Sequence, residues 1–179
     1  MSKKKILNIL IAGTGGQGVI TLSNLIRKLA VNASFKCEGA TFKGGAQRMG
    51  SVHTELRILE DDGKGAVFSS QIPMGEVDVL ISLEPWEALR FAKNCHKKTK
   101  VLVNTFEEKL YVERFQKTKL FNATEKLKSL FEDLTMLDYS SLAKADTGSK
   151  KNVNILMLYD AVSKNILPFT LEELEIIIE

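Results

Sequence analysis

Four glycines interrupt the chain directly after its first apolar run. The run covers residues 6–12, and the stretch that follows it is Gly13-Thr14-Gly15-Gly16-Gln17-Gly18. Apolar residues at helical spacing come next, so the order is strand, glycine turn and helix. Glycine permits positive φ and lacks a Cβ, so such a turn can leave the amide groups of the helix N-terminus facing outward. Those donors, together with the positive end of the helix dipole, favour an anion such as a phosphate.

Two interpretations of this turn stay open from the residues alone. Gly13, Gly15 and Gly18 fit the pattern G-x-G-x-x-G, and Glu38 follows about 20 residues on, where a dinucleotide-binding fold carries its ribose-binding acid. In the other interpretation, the glycines only allow the first strand and the first helix to pack closely. The first interpretation predicts a free-standing nucleotide- or NAD(P)-binding protein, and the second predicts no ligand at the turn.

A second glycine-rich segment, residues 42–51, combines three glycines with the cations Lys43 and Arg48. A packed core does not require such a segment, so we interpret it as a functional loop.

From residue 51 to residue 59 polar and apolar residues alternate, which is typical of a half-buried, antiparallel strand. His53 falls on the polar face of that strand, and we interpret it as a surface or interface residue rather than a general base.

Composition restricts both the compartment and the chemistry. The 179 residues carry a formal charge of +3 and no basic motif interleaved with aromatic residues, so nucleic acid is not an expected partner. Cys37 and Cys95 lack CxxC spacing and are interpreted as reduced thiols of a cytoplasmic protein. Two cysteines cannot ligate an iron–sulfur cluster, and two distant histidines argue against a zinc site. The first apolar run lacks a cleavage site, so we expect a soluble, unexported chain that does not meet a membrane.

The apolar pattern predicts one α/β domain over residues 1–179. Strands are predicted at 6–12, 35–41, 51–59, 77–83, 101–104 and 134–137, and helices from 19, from 85, at 123–131, at 153–166 and from 170. A turn at 61–63 makes 66–68 a predicted hairpin partner, whereas 107–121 has no firm period and stays unassigned. The predicted fold is therefore a Rossmann-like three-layer sandwich, with a mostly parallel sheet that includes an antiparallel strand or hairpin.

The predicted helix at 153–166 is apolar on several faces, more than a surface helix needs. Either it is sandwiched inside the domain or it meets another chain. A homodimer therefore stays open.

Five motifs occur in a familiar order and spacing. They are Gly13–Val19, Gly45–Val52, Glu76–Leu80, Leu83–Leu89 and Asn154–Leu158. Together they resemble the gamma-type domain of 2-oxoacid:ferredoxin oxidoreductases. The loop Ala46-Gln47-Arg48 with Gly50-Ser51 is most similar to the beta subunit of indolepyruvate:ferredoxin oxidoreductase, and the resemblance covers residues 6 to about 175.

The resemblance implies an assembled enzyme that decarboxylates a 2-oxoacid on thiamine diphosphate, passes electrons through iron–sulfur clusters to ferredoxin and releases an acyl-CoA. This chain has no Gly-Asp-Gly segment for a magnesium diphosphate and no cysteine ligand set. The resemblance therefore implies an accessory subunit without catalytic residues or a metal of its own. A partner subunit would hold thiamine diphosphate, magnesium and the clusters, and ferredoxin would meet the chain only indirectly.

The resemblance further implies that both glycine-rich loops serve the CoA side of the reaction. CoA is a polyanion, so loop amides with Lys43 or Arg48 would supply donors and charge, and Gln17 would donate an N–H to a thioester or carboxylate oxygen. The candidate cofactor-binding residues are Gly13, Thr14, Gly15, Gly16, Gln17, Gly18, Lys43, Gln47, Arg48 and Ser51. Alternatively the chain is a purely structural partner, in which Arg48 bridges to another subunit and Gln17 only satisfies loop carbonyls.

Overall fold

The central layer of the computed structural model, which describes residues 6–44, 50–60, 67–107, 122–147 and 152–178, is a six-stranded mixed sheet. Its strands are β1 (Leu7–Thr14), β2 (Phe35–Lys43), β3 (Ser51–Glu60), β4 (Val77–Ser82), β5 (Cys95–Asn104) and β6 (Leu134–Leu137). Their order across the sheet is β2-β3-β1-β4-β5-β6.

Strand β3 runs against both of its neighbours, whereas β1, β4, β5 and β6 pair in parallel. The alternating pattern of β3 therefore predicted its direction correctly. Because β3 lies between β1 and β2, β2 points the same way as β1 without touching it. The carboxyl ends of β1, β2, β4, β5 and β6 consequently meet at one edge, which we call the carboxyl edge.

Helices cover both faces of the sheet. They are α1 (Val19–Asn32), α2 (Pro85–Phe91), α3 (Ala123–Leu130), α4 (Tyr139–Thr147), α5 (Val153–Ser163) and α6 (Leu171–Ile178). Buried side chains of α1, α4, α5 and α6 pack in one core cluster, and those of α2 and α3 pack in a second cluster on the opposite face. The predicted three-layer α/β sandwich is thus confirmed.

Strand β1 shows why its sequence is continuously apolar. Ile9 and Ile11 face the first core cluster, and Leu10 and Ala12 face the second; all four are fully buried. Burying each of the larger side chains contributes about 1.5–3 kcal/mol. A central strand covered on both faces therefore has no position for a polar residue in its middle.

Several predicted boundaries were wrong. Val67 and Phe68 form no strand, and the partners of β3 are β1 and β2 instead; residue 66 lies outside the described residues. Strand β5 begins at Cys95 rather than at 101, and α5 ends at Ser163 rather than at 166. Helix α4 was not predicted. Of the unassigned stretch 107–121, all but Glu107 lies outside the described residues.

Helix α4 is attached to α5 through a buried phenol. The hydroxyl of Tyr139 donates to Asp160 Oδ2, and burial together with this carboxylate raises the pKa of Tyr139. Tyr139 also belongs to the first core cluster, so α4 is held by tertiary contacts rather than by a strong periodicity of its own.

Candidate functional site

The predicted glycine turn forms a bare helix N-terminus at the carboxyl edge. Gly18 is the N-cap of α1, has a φ of 90° and provides no capping side chain. A Cβ at this position would lie 2.3 Å from Asn154 Nδ2, so the turn requires glycine for its φ and for its space. Without a capping side chain, the first amides of α1 are available to an anion.

The second glycine-rich segment meets this turn through its two ends. The amide of Gly15 donates to the carbonyl of Gly50 (2.9 Å), and the amide of Gly44 donates to the carbonyl of Ser51 (2.7 Å). The flanking residues of the two loops therefore lie together, as binding of one ligand by both loops would require. Gln47 and Arg48 lie outside the described residues, and their positions stay a prediction.

Between the two segments lies a cleft of about 550 Å³, which we call the glycine cleft. It is lined by Thr14, Gly15, Gly16, Gly18, Val19, Ile20, Lys43 and Val52. Lys43 thus shares a cavity with the start of α1, and Val19, Ile20 and Val52 add an apolar wall. An elongated anion with an apolar part matches this lining, and the volume is in the range of small-molecule sites.

Of the predicted site residues that the structure describes, three do not line the glycine cleft. Gly13 is buried under the turn, where a Cβ would lie 2.8 Å from Val19 Cγ2 and 3.1 Å from Leu83 Cβ, so this glycine serves close packing. Ser51 donates its hydroxyl to Glu87, as described below. Gln17 accepts the amide of Thr14 at Oε1 (2.8 Å), which braces the turn from within.

The side-chain amides of Gln17 and Asn154 flank Gly18. Each makes a hydrogen bond through one of its two polar atoms only. Gln17 Nε2 and Asn154 Oδ1 are buried without a hydrogen-bond partner in the part of the chain that the structure describes. Asn154 Nδ2 donates to the carbonyl of Gly18 (3.1 Å) and so ties the N-cap of α1 to the first turn of α5. Sequence reasoning placed Asn154 in a motif but assigned it no role, because no local pattern links residues 136 positions apart.

A buried carboxylate pair lies beside the loops at the start of α2. Glu84 is the N-cap of this helix and accepts the amides of Trp86 and Glu87 (3.2 and 2.7 Å). Glu87 Oε2 accepts the hydroxyl of Ser51 (2.5 Å), and Glu87 Oε1 accepts Arg90 Nε (2.9 Å). Both carboxylates are buried, at 2% and 3% exposure.

Burial raises the pKa of Glu84 to about 7, because removal from water disfavours the charged form. The amides of Glu87 and Trp86 act in the opposite direction, and the neighbouring carboxylates of Glu87 and Glu107 add to the increase. Glu84 is therefore partly protonated near neutral pH. No sequence pattern indicated this, since the burial comes from the packing of α2 on the sheet.

His53 lies between two aromatic rings and does not reach the glycine cleft. Its ring stacks on Phe42 at 4.7 Å between centroids and tilts against Phe91 at 4.5 Å. Burial lowers the pKa of His53, although Glu55 and Glu87 oppose that change. The sequence predicted a surface or interface residue, whereas in the structure His53 is a half-buried ring that packs between two aromatic side chains.

Glu38 cannot act as the ribose-binding acid of a dinucleotide fold with this turn. In the sheet, Glu38 pairs with Arg57, which pairs with Asn8 near the start of β1. The turn follows Thr14, which lies six residues beyond Asn8 on β1. Glu38 is therefore separated from the turn by roughly 20 Å along the strand direction. The insertion of β3 between β1 and β2 thus contradicts the nucleotide interpretation based on Glu38.

The described residues offer no metal site and no membrane span. Within them, no three His, Cys, Asp or Glu side chains form a group that could hold a metal ion. None of the described helices combines the length and the apolar character that crossing a membrane requires.

Comparison with known proteins gives a family match over nearly the whole chain and curated relatives over about half of it. The family model described as pyruvate ferredoxin/flavodoxin oxidoreductase matches residues 8–179. The indolepyruvate oxidoreductase subunit IorB of Archaeoglobus fulgidus is 46% identical over 99 residues, which are 55% of this chain and 46% of that protein. The IorB subunit of Thermococcus kodakarensis is 39% identical over 100 residues, 56% of this chain and 47% of that protein. These alignments span about half the length of the curated relatives.

Solved structures share the fold at low identity. The pyruvate oxidoreductase subunit PORC of Thermotoga maritima superposes with a TM-score of 0.66 at 16% identity, covering 96% of this chain and 83% of that one. The 2-oxoglutarate:ferredoxin oxidoreductase of Magnetococcus marinus, solved with 2-oxoglutarate, coenzyme A and succinyl-CoA bound, has a TM-score of 0.64 at 16% identity. That alignment covers 98% of this chain and 27% of the larger one.

Proposed function

Because this chain belongs to the pyruvate ferredoxin/flavodoxin oxidoreductase family, we propose that it is the accessory subunit of a 2-oxoacid:ferredoxin oxidoreductase of the indolepyruvate type. In this proposal, residues 1–179 act as one gamma-type domain that assists the oxidative decarboxylation of an arylpyruvate to an acyl-CoA. A partner subunit carries thiamine diphosphate, magnesium and the iron–sulfur clusters and passes electrons to ferredoxin. The identity with IorB subunits supports the indolepyruvate branch.

The chemistry of the chain supports an accessory role. Two cysteines in the whole sequence are fewer than the four that an iron–sulfur cluster requires. Burial raises the pKa of the Cys95 thiol to about 11 and also raises that of Cys37, so neither is a ready thiolate ligand or nucleophile at neutral pH. The electron-transfer chemistry therefore belongs to another subunit.

We propose further that the glycine cleft takes part of CoA. The observation that carries this proposal is that Lys43 and the uncapped start of α1 line one cleft with an apolar wall. Amides of the α1 N-terminus would donate hydrogen bonds to a phosphate oxygen, Lys43 would add charge, and Val19, Ile20 and Val52 would contact the pantetheine arm. The 2-oxoglutarate:ferredoxin oxidoreductase that shares this fold was solved with coenzyme A bound, so CoA is a ligand of an enzyme that contains the fold.

The test is reconstitution with the thiamine-binding subunit from the same source. We expect the isolated chain to be inactive, and the assembled enzyme to form acyl-CoA with reduction of ferredoxin. Lys43→Ala should raise KM for CoA about tenfold at nearly unchanged kcat, since the lost contact is to a phosphate. Lys128→Ala removes the same charge from the exposed face of α3, away from the glycine cleft, and should leave KM unchanged.

Two results would overturn parts of this proposal. Acyl-CoA formation by the chain alone would contradict the accessory role. An unchanged KM in Lys43→Ala, together with weakened subunit association in Arg48→Ala, would instead support the purely structural partner, in which the basic loop binds another chain.

A further inference from the structure

A second cavity, of about 560 Å³, lies at the opposite edge of the sheet from the glycine cleft. It is bordered by the amino ends of β1, β4 and β5 and by the connection between α5 and α6, residues 165–169. We call it the amino-edge cavity. Its volume is in the range of small-molecule sites, and the proposed function gives it no role.

An irregular segment of β5 forms one wall of the amino-edge cavity. Between the pairs Val77↔Cys95 and Val79↔Lys100, β4 has one residue and β5 has four. The extra residues are held in place by the buried Thr99, whose Oγ1 donates to the carbonyl of Val77 (2.6 Å) and accepts the amide of His96 (2.8 Å). Bulges of this kind redirect side chains, and this one puts His96 and Lys98 on the cavity wall.

Hydrogen bonds in this wall of the cavity hold the His96 ring in one orientation. Its Nδ1 accepts the amide of Lys98 (3.1 Å), so the neutral ring carries its proton on Nε2. That atom lies 3.6 Å from Asp78 Oδ1, and the amide of Asn8 donates to Asp78 Oδ2 (2.9 Å). The carboxylate of Asp78 is thus occupied by neighbouring protein groups.

Two lysines leave this cavity with a surplus of positive charge. Lys98 and Lys100 carry two charges against the single charge of Asp78. Lys100 Nζ donates to the carbonyl of Asn165 (2.6 Å), which places the ammonium group at the cavity and leaves further protons for a ligand. A single negative group would therefore balance the lining.

The floor of the amino-edge cavity is apolar. Leu7, which is half-buried, and Pro168, which is exposed, provide its accessible apolar surface, whereas Val79, Leu167 and Phe169 are only 1%, 1% and 5% exposed. An occupant with an apolar body gains from covering this surface, whereas a fully polar ion does not.

We propose that the amino-edge cavity binds a small organic carboxylate, with its apolar body on Leu7 and Pro168 and its carboxylate at Lys98 and Lys100. A monoanion fits better than a phosphate dianion, because the charge surplus is one and Asp78 would repel a second negative charge. The site is independent of the glycine cleft, and its test requires no partner subunit.

The test is an amide NMR titration of the 179-residue chain with 3-phenylpropanoate. We expect saturable shifts at residues 96–100 and 165–169, with a Kd of the order of 1 mM for a ligand of this size. Lys98→Ala and Lys100→Met should each weaken binding about fivefold. Lys97→Ala is the matched control, since this neighbouring lysine is exposed and does not line the cavity; its Kd should equal that of the wild type.

Other outcomes of the same titration would overturn the proposal. Equal affinity for the neutral analogue 3-phenylpropan-1-ol would show that the lysines do not recognise the carboxylate. Tighter binding of phenyl phosphate would contradict the monoanion class. Shifts confined to the glycine cleft, or an unaltered Kd in both lysine variants, would place the binding elsewhere.

Discussion

The hydroxyl of Ser51 donates a hydrogen bond of 2.5 Å to Glu87 Oε2, joining the first residue of β3 to the first turn of α2. Ser51 is the last residue of the second glycine-rich segment, residues 42–51, and Glu87 is buried. This contact therefore anchors the segment to the helical layer on the other face of the sheet from α1. The glycine turn is connected to the same place through the bond from Gly15 to Gly50. The geometry of the carboxyl edge therefore depends on the buried carboxylate of Glu87.

Replacing Ser51 by alanine should destabilise the chain by about 1–3 kcal/mol, because it removes a donor from the buried Glu87 and leaves that oxygen unsatisfied. Urea unfolding measures the change. Ser129→Ala is the matched control, since that hydroxyl is exposed and donates only to the carbonyl of Lys126; we expect it to cost less than 0.5 kcal/mol, roughly the usual effect of a surface substitution. Equal losses for both variants would contradict the anchoring role of Ser51.

The raised pKa of Glu84 predicts a pH dependence of stability. The folded chain holds the Glu84 proton up to about pH 7, whereas the unfolded chain releases it near the ordinary value of 4.5. Between these two values the folded state binds more protons, so the contribution of Glu84 is fully present below pH 4.5 and is lost as pH rises through 7. The total is of the order of 3 kcal/mol.

Glu84→Gln tests this linkage, because glutamine keeps a cap acceptor but does not titrate. The free energy of unfolding should be measured at several values between pH 4.5 and 8 for both proteins. We expect the stability of the variant relative to the wild type to increase with pH up to about 7 and then level off. A difference that is constant across this range would mean that Glu84 keeps an ordinary pKa in the folded chain.

The turn, its helix and the direction of β3 were predictable because each depends on local chemistry. Glycine spacing after an apolar run specifies a strand, a turn and a helix, and the alternation from residue 51 specifies an antiparallel strand with one covered face. The resemblance grouped Lys43 with the turn, and the structure places the two together because β1 and β2 end at the same edge of the sheet.

Other features depend on contacts between distant segments. Glu55 alternates as a surface residue but is 8% exposed, because the amide of Ile72 donates to its Oε2 (2.7 Å) and covers that face of β3. Strand β3 lies between β1 and β2 and so keeps Glu38 away from the turn. No local sequence pattern predicts this strand order. Helix α4 was missed for the same reason, as its buried anchor Tyr139 acts through Asp160.

Gly18 and Gly16 lie in the same turn, but glycine is required at the two positions for different reasons. Both have positive φ, 90° and 99°, but a Cβ on Gly18 would clash with Asn154 at 2.3 Å whereas a Cβ on Gly16 would meet nothing within 4 Å. Gly16→Ala should cost only the backbone strain, about 1–2 kcal/mol. Gly18→Ala should cost about 2–4 kcal/mol, since overpacking is added to the strain.

A double-mutant cycle with Asn154→Ala isolates the clash. Removing the Asn154 amide should recover part of the loss in Gly18→Ala, and it should recover nothing in Gly16→Ala. Thermal or urea unfolding of the single and double variants provides the coupling energies. Strict additivity at Gly18 would mean that the turn relaxes away from Asn154.

Arg57 holds the segment before β4 against the outer face of β3. Its Nε donates to Asn8 Oδ1 (2.8 Å), and its Nη1 donates to the carbonyls of Ser69 (2.9 Å) and Gln71 (3.3 Å). Arg57→Ala should therefore free this segment and expose the hydrogen bond between Ile72 and Glu55, so the Ile72 amide should exchange with solvent about tenfold faster. Amide hydrogen exchange followed by NMR measures this rate.

Arg57→Lys separates the contribution of the several guanidinium donors from the contribution of the positive charge. A lysine keeps the charge but cannot reach Asn8 and two carbonyls with a planar set of donors, so the exchange of Ile72 should lie between that of the wild type and that of Arg57→Ala. The amides of β1 should stay protected in both variants, because the central strand is buried on both faces independently of this segment. If Ile72 kept its protection in Arg57→Ala, the bond to Glu55 alone would hold the segment, and Glu55→Ala would then be the variant that releases it.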